Sequence, residues 1–173
     1  MLTDDGKRLY VSWDEYHNIT ERLALKVHNS GWQFDQILCL ARGGLRPGDV
    51  LSRVFDKPLG IMATSSYRAE GGTIQGRLDM AKYITMPKGE LAGRVLLVDD
   101  LADSGVTLAA VVERLRSMPA ITELRSAVLW VKGISTFTPD YYVETLPTSP
   151  WIHQPFEEYD TLRPEGLAKR FAV

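Results

Sequence analysis

Three carboxylates, two hydroxyls and a glycine follow directly on an apolar run in Val95-Leu96-Leu97-Val98-Asp99-Asp100-Leu101-Ala102-Asp103-Ser104-Gly105-Val106-Thr107. Small residues let backbone amides approach an oxygen-rich ligand, and the hydroxyls of Ser104 and Thr107 add donors. A helix starting at this point would turn its positive end toward the same ligand, so the stretch suits a phosphate monoester. Asp99 and Asp100 stand at the end of a strand, where neighbouring side chains diverge, and one is expected to face a pocket in the sheet and the other the loop. Both can meet sugar hydroxyls or a hydrated magnesium ion. An isolated acidic pair is ordinarily a turn, with a following Asp as helix cap; the loop of small residues separates this tract from that case.

Four further segments place reactive or recognition side chains at the ends of expected strands. Arg42-Gly43-Gly44 breaks an apolar run, and Ser65-Ser66-Tyr67 opens a long glycine-containing segment. Lys132 stands in Val131-Lys132-Gly133, and the aromatic stretch Trp151-Ile152-His153-Gln154-Pro155-Phe156 follows an acidic strand. Alone, each is ordinary: a tight turn, a strand end, a solvated lysine, a hydrophobic cover. His17 and His28 share no motif with Cys39 or an acidic cluster, and no zinc site is assigned.

The elements that must position these residues alternate strand and helix. Leu9 to Val11 is a short strand, and Ser12 with Glu15 makes a capping box for a helix starting near Trp13. Its apolar stripe runs through Trp13, Tyr16, Ile19 or Thr20, Leu23 and Val27, and Gly31 lies just past its end. Ile37 to Ala41 is a continuous apolar run, expected of a strand covered on both faces of a parallel sheet. Pro47 suits the first turn of the next helix, with Val50, Leu51, Val54 and Phe55 as its buried side. Ile61 to Tyr67 and Arg94 to Val98 are strands; the latter leads into a helix with Leu108, Val111, Val112 and Leu115 inside. Leu124 to Val131 and Tyr141 to Glu144 complete the set, and βα alternation predicts an α/β fold whose ligand lies beyond the carboxyl ends of the strands. Arg68 to Met80 reads as a loop and, with Tyr67, as a lid over about residues 67–81. Pro147, Pro150 and Pro155 predict an irregular flap without a regular sheet strand.

With 173 residues the chain is expected to form one domain, a core over about residues 9–145 and a hood over about residues 146–173. A formal net charge of -2 argues against a duplex-binding surface, so no nucleic-acid partner is expected. The lone Cys39 excludes an internal disulfide and fits a reducing compartment. Met1 to Tyr10 contains no apolar leader core and no stretch approaches a membrane-spanning length, so a cytoplasmic location is expected.

The tract from Val95 to Thr107 resembles the phosphoribosyl-pyrophosphate signature of the type I phosphoribosyltransferases. The resemblance implies that family's fold, a mostly parallel sheet flanked by helices with a small irregular hood from the C-terminal segment. It implies that Asp99 and Asp100 contact the ribose hydroxyls and hold Mg2+, that Ala102, Asp103, Ser104, Gly105, Val106 and Thr107 bind phosphoribosyl pyrophosphate, with Ser104 to Thr107 taking the 5-phosphate, and that Asp103 is the catalytic carboxylate near the purine imidazole. Arg42 and Gly43 resemble the pyrophosphate loop, and Ser66 and Tyr67 the start of the catalytic lid. Lys132, Trp151 and Ile152 resemble the base-binding residues of bacterial xanthine-guanine phosphoribosyltransferases, the lysine donating to the purine 6-oxygen. Tyr10 to Asp14 and Ala41 to Gly48 extend the likeness. It implies phosphoribosyl pyrophosphate and a 6-oxopurine (guanine, xanthine or hypoxanthine) as substrates, purine salvage as the setting, and a homodimer or homotetramer. His153 stands in place of an acid, Phe156 in place of a tryptophan, and the lid is longer, with Arg68, Arg77 and Lys82. Two other readings keep the same fold: a nucleotide-sensing regulator that binds RNA, and a phosphoribosyltransferase for a non-purine base.

Overall fold

The computed structural model describes residues 1–66 and 78–171. A short strand, β1 (Arg8–Tyr10), leads into α1 (Trp13–Asn29), and Ser12 fixes where that helix starts. Its hydroxyl accepts from the Glu15 amide at 3.2 Å while its own amide donates to the Glu15 carboxylate at 2.7 Å, the reciprocal pair expected from the spacing. Tyr16, Ile19, Thr20, Leu23, Ala24 and Val27 form the buried stripe, whereas Trp13, expected to belong to it, lies in the first turn and is exposed. Gly31, at φ +71°, lies just past the helix end.

The main sheet and its covering helices follow in order: β2 (Gln36–Ala41), α2 (Leu45–Phe55), β3 (Leu59–Ser66), β4 (Leu78–Met80), β5 (Gly93–Val98), β6 (Leu101–Ala102), α3 (Val106–Arg116), β7 (Ile121–Lys132) and β8 (Tyr141–Leu146). Across the sheet the order is β4-β3-β2-β5-β7, with β8 on the far side of β7 and β6 continuing the line of β5. Every pair is parallel except β3 with β4. Ile37, Cys39, Leu96 and Val98 pack on one face with Leu23, Val27 and Leu51 from α1 and α2. Leu38, Leu40, Val95 and Leu97 pack on the other with Leu108, Val111 and Leu115 from α3. Each such side chain contributes about 1.5–3 kcal/mol on burial. Continuous apolar runs covered from both sides therefore make β2 and β5 the central strands, as their sequences predict.

Three further expectations need correction. Val54 is 62% exposed, because α2 rests on the sheet through Pro47, Gly48 and Leu51 in its first turns. A Cβ on Gly48 would stand 2.7 Å from that of Cys39, so this close approach requires glycine. The C-terminal segment, expected without a regular strand, contains β9 (Trp151–His153), paired in parallel with β1. Pro150 and Pro155 bracket this strand without interrupting it, and the free edge of β1 supplies a partner that local sequence does not reveal. Two short helices, α4 (Glu158–Thr161) and α5 (Pro164–Arg170), complete the hood. Within the stretch read as loop, Leu78–Met80 pairs antiparallel with Thr64–Ser66 as β4. The remainder of the expected lid up to residue 77, Tyr67 included, lies outside the described residues.

Candidate active-site cleft

Parallel register brings the loops after β2 and β5 side by side at the carboxyl edge of the sheet. Gly44 donates its amide to Leu40 O at 2.8 Å, and a Cβ there would lie 2.9 Å from that same oxygen. A Cβ on Gly43 would lie 2.6 Å from Asp100 Cγ. The glycine pair is what lets the Asp100 carboxylate rest on the Arg42 loop, in which the Ala41–Arg42 peptide is cis.

The chain does not leave the sheet at the acidic pair. Asp99 N donates to Ala127 O at 3.1 Å, Leu129 N to Asp100 O at 3.0 Å, and β6 then pairs with Trp130 and Val131. Asp99-Asp100 is thus an irregularity inside one line of pairing with β7. The expected divergence of the two side chains is corrected here: the carboxyls interact. Burial first, and then the charge of Asp100, holds the Asp99 carboxyl well above the usual carboxylate range. Asp100 N donates to Asp99 Oδ1 at 2.9 Å.

Gly105, at φ +81°, turns the chain from the acids into α3. A Cβ there would lie 2.6 Å from Phe137 N, so the segment after β7 backs the loop directly. Thr136 clamps it further, donating to Ser104 O from its amide at 2.9 Å and from Oγ1 at 3.0 Å. Amides in the first turn of a helix have no intrahelical acceptor, and that of Val106 reaches Ser104 Oγ only at 3.4 Å. A cleft of about 490 Å³ results, lined by Arg42, Gly43, Thr64, Asp99, Asp100, Ala102, Asp103, Ser104, Gly105 and Thr107 among others. It suits an oxyanion held between amides, with carboxylates placed for hydroxyls or a cation.

Lys132, at the end of β7, is buried, and its Nζ lies 3.1 Å from Asp103 Oδ1. Two residues that the sequence singled out separately are therefore one ion pair beside the cleft. Arg42 is at the rim, 3.5 Å from Asp160 of α4. Trp151 and Ile152 do not line the cleft: Trp151 is half exposed on the hood, and the Ile152 side chain packs into the core. Ser66 ends β3. Cys39 is buried, and loss of hydration pushes its thiol up to about 11, as suits a structural residue. His17 and His28 are exposed.

Sequence reasoning missed Thr64 and the role of Gln154. Thr64 lies one residue beyond the Ala41↔Ala63 pairing and so at the same edge as the Arg42 loop; a polar residue at the carboxyl end of a strand was the available signal. Gln154 is buried and donates from Nε2 to Asp100 Oδ2. Among the described residues no group of three or more His, Cys, Asp or Glu gathers into a metal site. Asp99 and Asp100 offer a pair of hard oxygen donors, which fits magnesium, an ion commonly held by one or two carboxylates with water and substrate phosphates.

The fold is α/β with its cleft at the carboxyl edge of the sheet, and residues 12–161 match the phosphoribosyl transferase domain family. The chain belongs to that family and has its type I fold, which makes it a phosphoribosyltransferase. It is 26% identical over 172 residues to a xanthine-guanine phosphoribosyltransferase of Ruegeria sp. (strain TM1040), covering 91% of this chain and 93% of that protein. A protein of the same name from Roseobacter denitrificans is 32% identical over 114 residues, 61% of this chain and 63% of its own length. Among solved structures, a purine phosphoribosyltransferase from Pyrococcus horikoshii superposes with a TM-score of 0.73 at 31% identity, covering 91% of this chain and 99% of that one. No helix among the described residues is long and apolar enough to cross a membrane.

Proposed function

We propose that this enzyme transfers the 5-phosphoribosyl group of phosphoribosyl pyrophosphate to a 6-oxopurine, releasing pyrophosphate and a nucleoside monophosphate, as a step of purine salvage. The observation that carries the reading is the buried Lys132 ammonium at the end of β7, held 3.1 Å from Asp103 at the edge of the cleft between the Arg42 and Ser104 loops. The first-turn amides of α3 and the hydroxyls of Ser104 and Thr107 take the 5-phosphate. Asp100 and Asp99 hold the ribose hydroxyls and are the residues that would hold magnesium. That ion, when bound, neutralises charge on the pyrophosphate. Arg42 and the Gly43 backbone face the same leaving group, so positive charge can build at the anomeric carbon as its bond to oxygen breaks.

The purine nitrogen then forms the new bond at that carbon. Asp103, in the lining of the cleft, accepts the proton of the purine imidazole or balances its developing charge. Lys132 donates to the 6-oxygen; since an ammonium has no acceptor, adenine with its 6-amino group is disfavoured. Trp151 acts from the hood as an apolar face, and Ile152 through its backbone alone. Ser66 and Tyr67 begin a lid that shields the reacting carbon from water. The enzyme works as a homodimer or homotetramer.

The test is to offer the purified protein phosphoribosyl pyrophosphate, magnesium and a panel of bases while following pyrophosphate release. Turnover with guanine, xanthine or hypoxanthine and little with adenine is the expected result. Equal use of adenine and guanine refutes the role of Lys132, and turnover restricted to a pyrimidine or another non-purine base refutes the substrate class.

A further inference from the structure

A side chain of the hood touches the acidic pair. Gln154, immediately after β9, is 7% exposed and donates from Nε2 to Asp100 Oδ2. An ionised carboxylate only accepts, so the nitrogen end of the amide must face it. The other end, Oε1, is buried without a hydrogen-bond partner among the described residues. An apolar side chain of similar length would fill the site without leaving a buried acceptor unpaired. Packing alone therefore does not explain an amide here, whereas the bond to Asp100 does.

Both sides of that bond are fixed. Asp100 rests on Gly43, where even a Cβ would come within 2.6 Å of its Cγ. Gln154 is held by the pairing of β9 with β1, by Val11 N donating to His153 O at 3.0 Å and by Glu157 N donating to Gln154 O at 3.0 Å. Two residues on, Phe156 packs edge-on to Tyr16 at 5.5 Å between ring centroids. A donor set in so firm a frame restricts the carboxylate to one orientation.

We propose that Gln154 is a positioning residue, whose carboxamide holds Asp100 in the orientation that receives the sugar of phosphoribosyl pyrophosphate and so couples sugar binding to the docked hood. The inference rests on the assignment of Asp100 to the sugar made above. Gln154 acts through Asp100 and not on the substrate, so its removal falls on the sugar phosphate and spares the base.

The experiment uses the full chain with Gln154→Met, which keeps the length and removes the donor. The expected result is a rise of about tenfold or more in KM for phosphoribosyl pyrophosphate, with KM for the base changed less than about threefold. Calorimetric titration of phosphoribosyl pyrophosphate with magnesium and no base should show the same weakening. In an Asp100→Asn background the Met substitution should add nothing, because its route of action is already gone. Equal losses for both substrates, or a full additive loss on top of Asp100→Asn, overturn the proposal. Gln154→Asn, which withdraws the amide by one methylene, should repeat the pattern if the Met variant does not fold. If neither folds, the residue is structural and the proposal falls. A wild-type enzyme inactive with every base would instead overturn the substrate assignment beneath it.

Discussion

Replacing Lys132 by Met separates the function assigned to this residue from its contribution to stability. The Lys132 side chain is 8% exposed, that of Asp103 is 36% exposed, and Nζ lies 3.1 Å from Oδ1. Removing one partner of a fully buried pair costs about 3–5 kcal/mol because a charge is stranded. Here the charge left behind is that of Asp103, which rehydrates, while the desolvation of the ammonium disappears with it. The stability loss should therefore lie at the level of exposed pairs, about 1 kcal/mol or less. For a domain of this size that is about 2–4 °C in Tm. On the proposed assignment, the function lost is a charge-assisted hydrogen bond to the base, about 1.5–3 kcal/mol, or roughly ten- to a hundredfold in kcat/KM. The assay is steady-state turnover of guanine at saturating phosphoribosyl pyrophosphate, read beside thermal unfolding. An unchanged kcat/KM refutes the assignment to the base. A fall in Tm of more than about 10 °C with a matching loss of active protein refutes the energetic reasoning.

Gly105→Ala combines a left-handed backbone, which disfavours side chains by about 1–2 kcal/mol, with a Cβ placed 2.6 Å from Phe137 N. Its KM for phosphoribosyl pyrophosphate should rise by about tenfold or more with little change in KM for the base; equal effects on both would show that the loop does not hold the phosphate. Ser12→Ala removes a helix cap and should lower stability by about 1 kcal/mol, seen as a lower urea midpoint at constant slope with turnover unaffected. Hydrogen bonds from Arg94, first from its side chain and then from its backbone, lower the Asp35 carboxyl from its ordinary 3.8 to about 2. A depressed carboxylate stabilises the fold above its unfolded value and loses that contribution as pH falls toward the folded one. Asp35→Asn should therefore lower stability at pH 7 by no more than about 1 kcal/mol at this exposed pair, read as a lower Tm, and the difference should shrink between about pH 4 and pH 2; a difference that persists in acid contradicts the pairing.

The linear sequence determined most of what depends on neighbours along the chain. The Ser12–Glu15 box sets where α1 begins, unbroken apolar runs make β2 and β5 central strands, and glycines with small polar residues mark both loops of the cleft. These features are legible because hydrogen-bond reach, side-chain period and backbone freedom act over a few residues. Contacts between distant segments were decided only in three dimensions. Local pattern holds no trace of the edge of β1 that pairs β9, the Cys39 surface that Gly48 packs against, or the Asp103 carboxylate that meets Lys132. The same holds for Asp99 and Asp100: alternation predicts that adjacent side chains part, but renewed pairing with β7 bends the chain at that point and brings the two carboxyls together under a buried glutamine. A strand chooses its partners by shape and burial across the whole molecule, so such encounters belong to the tertiary structure alone.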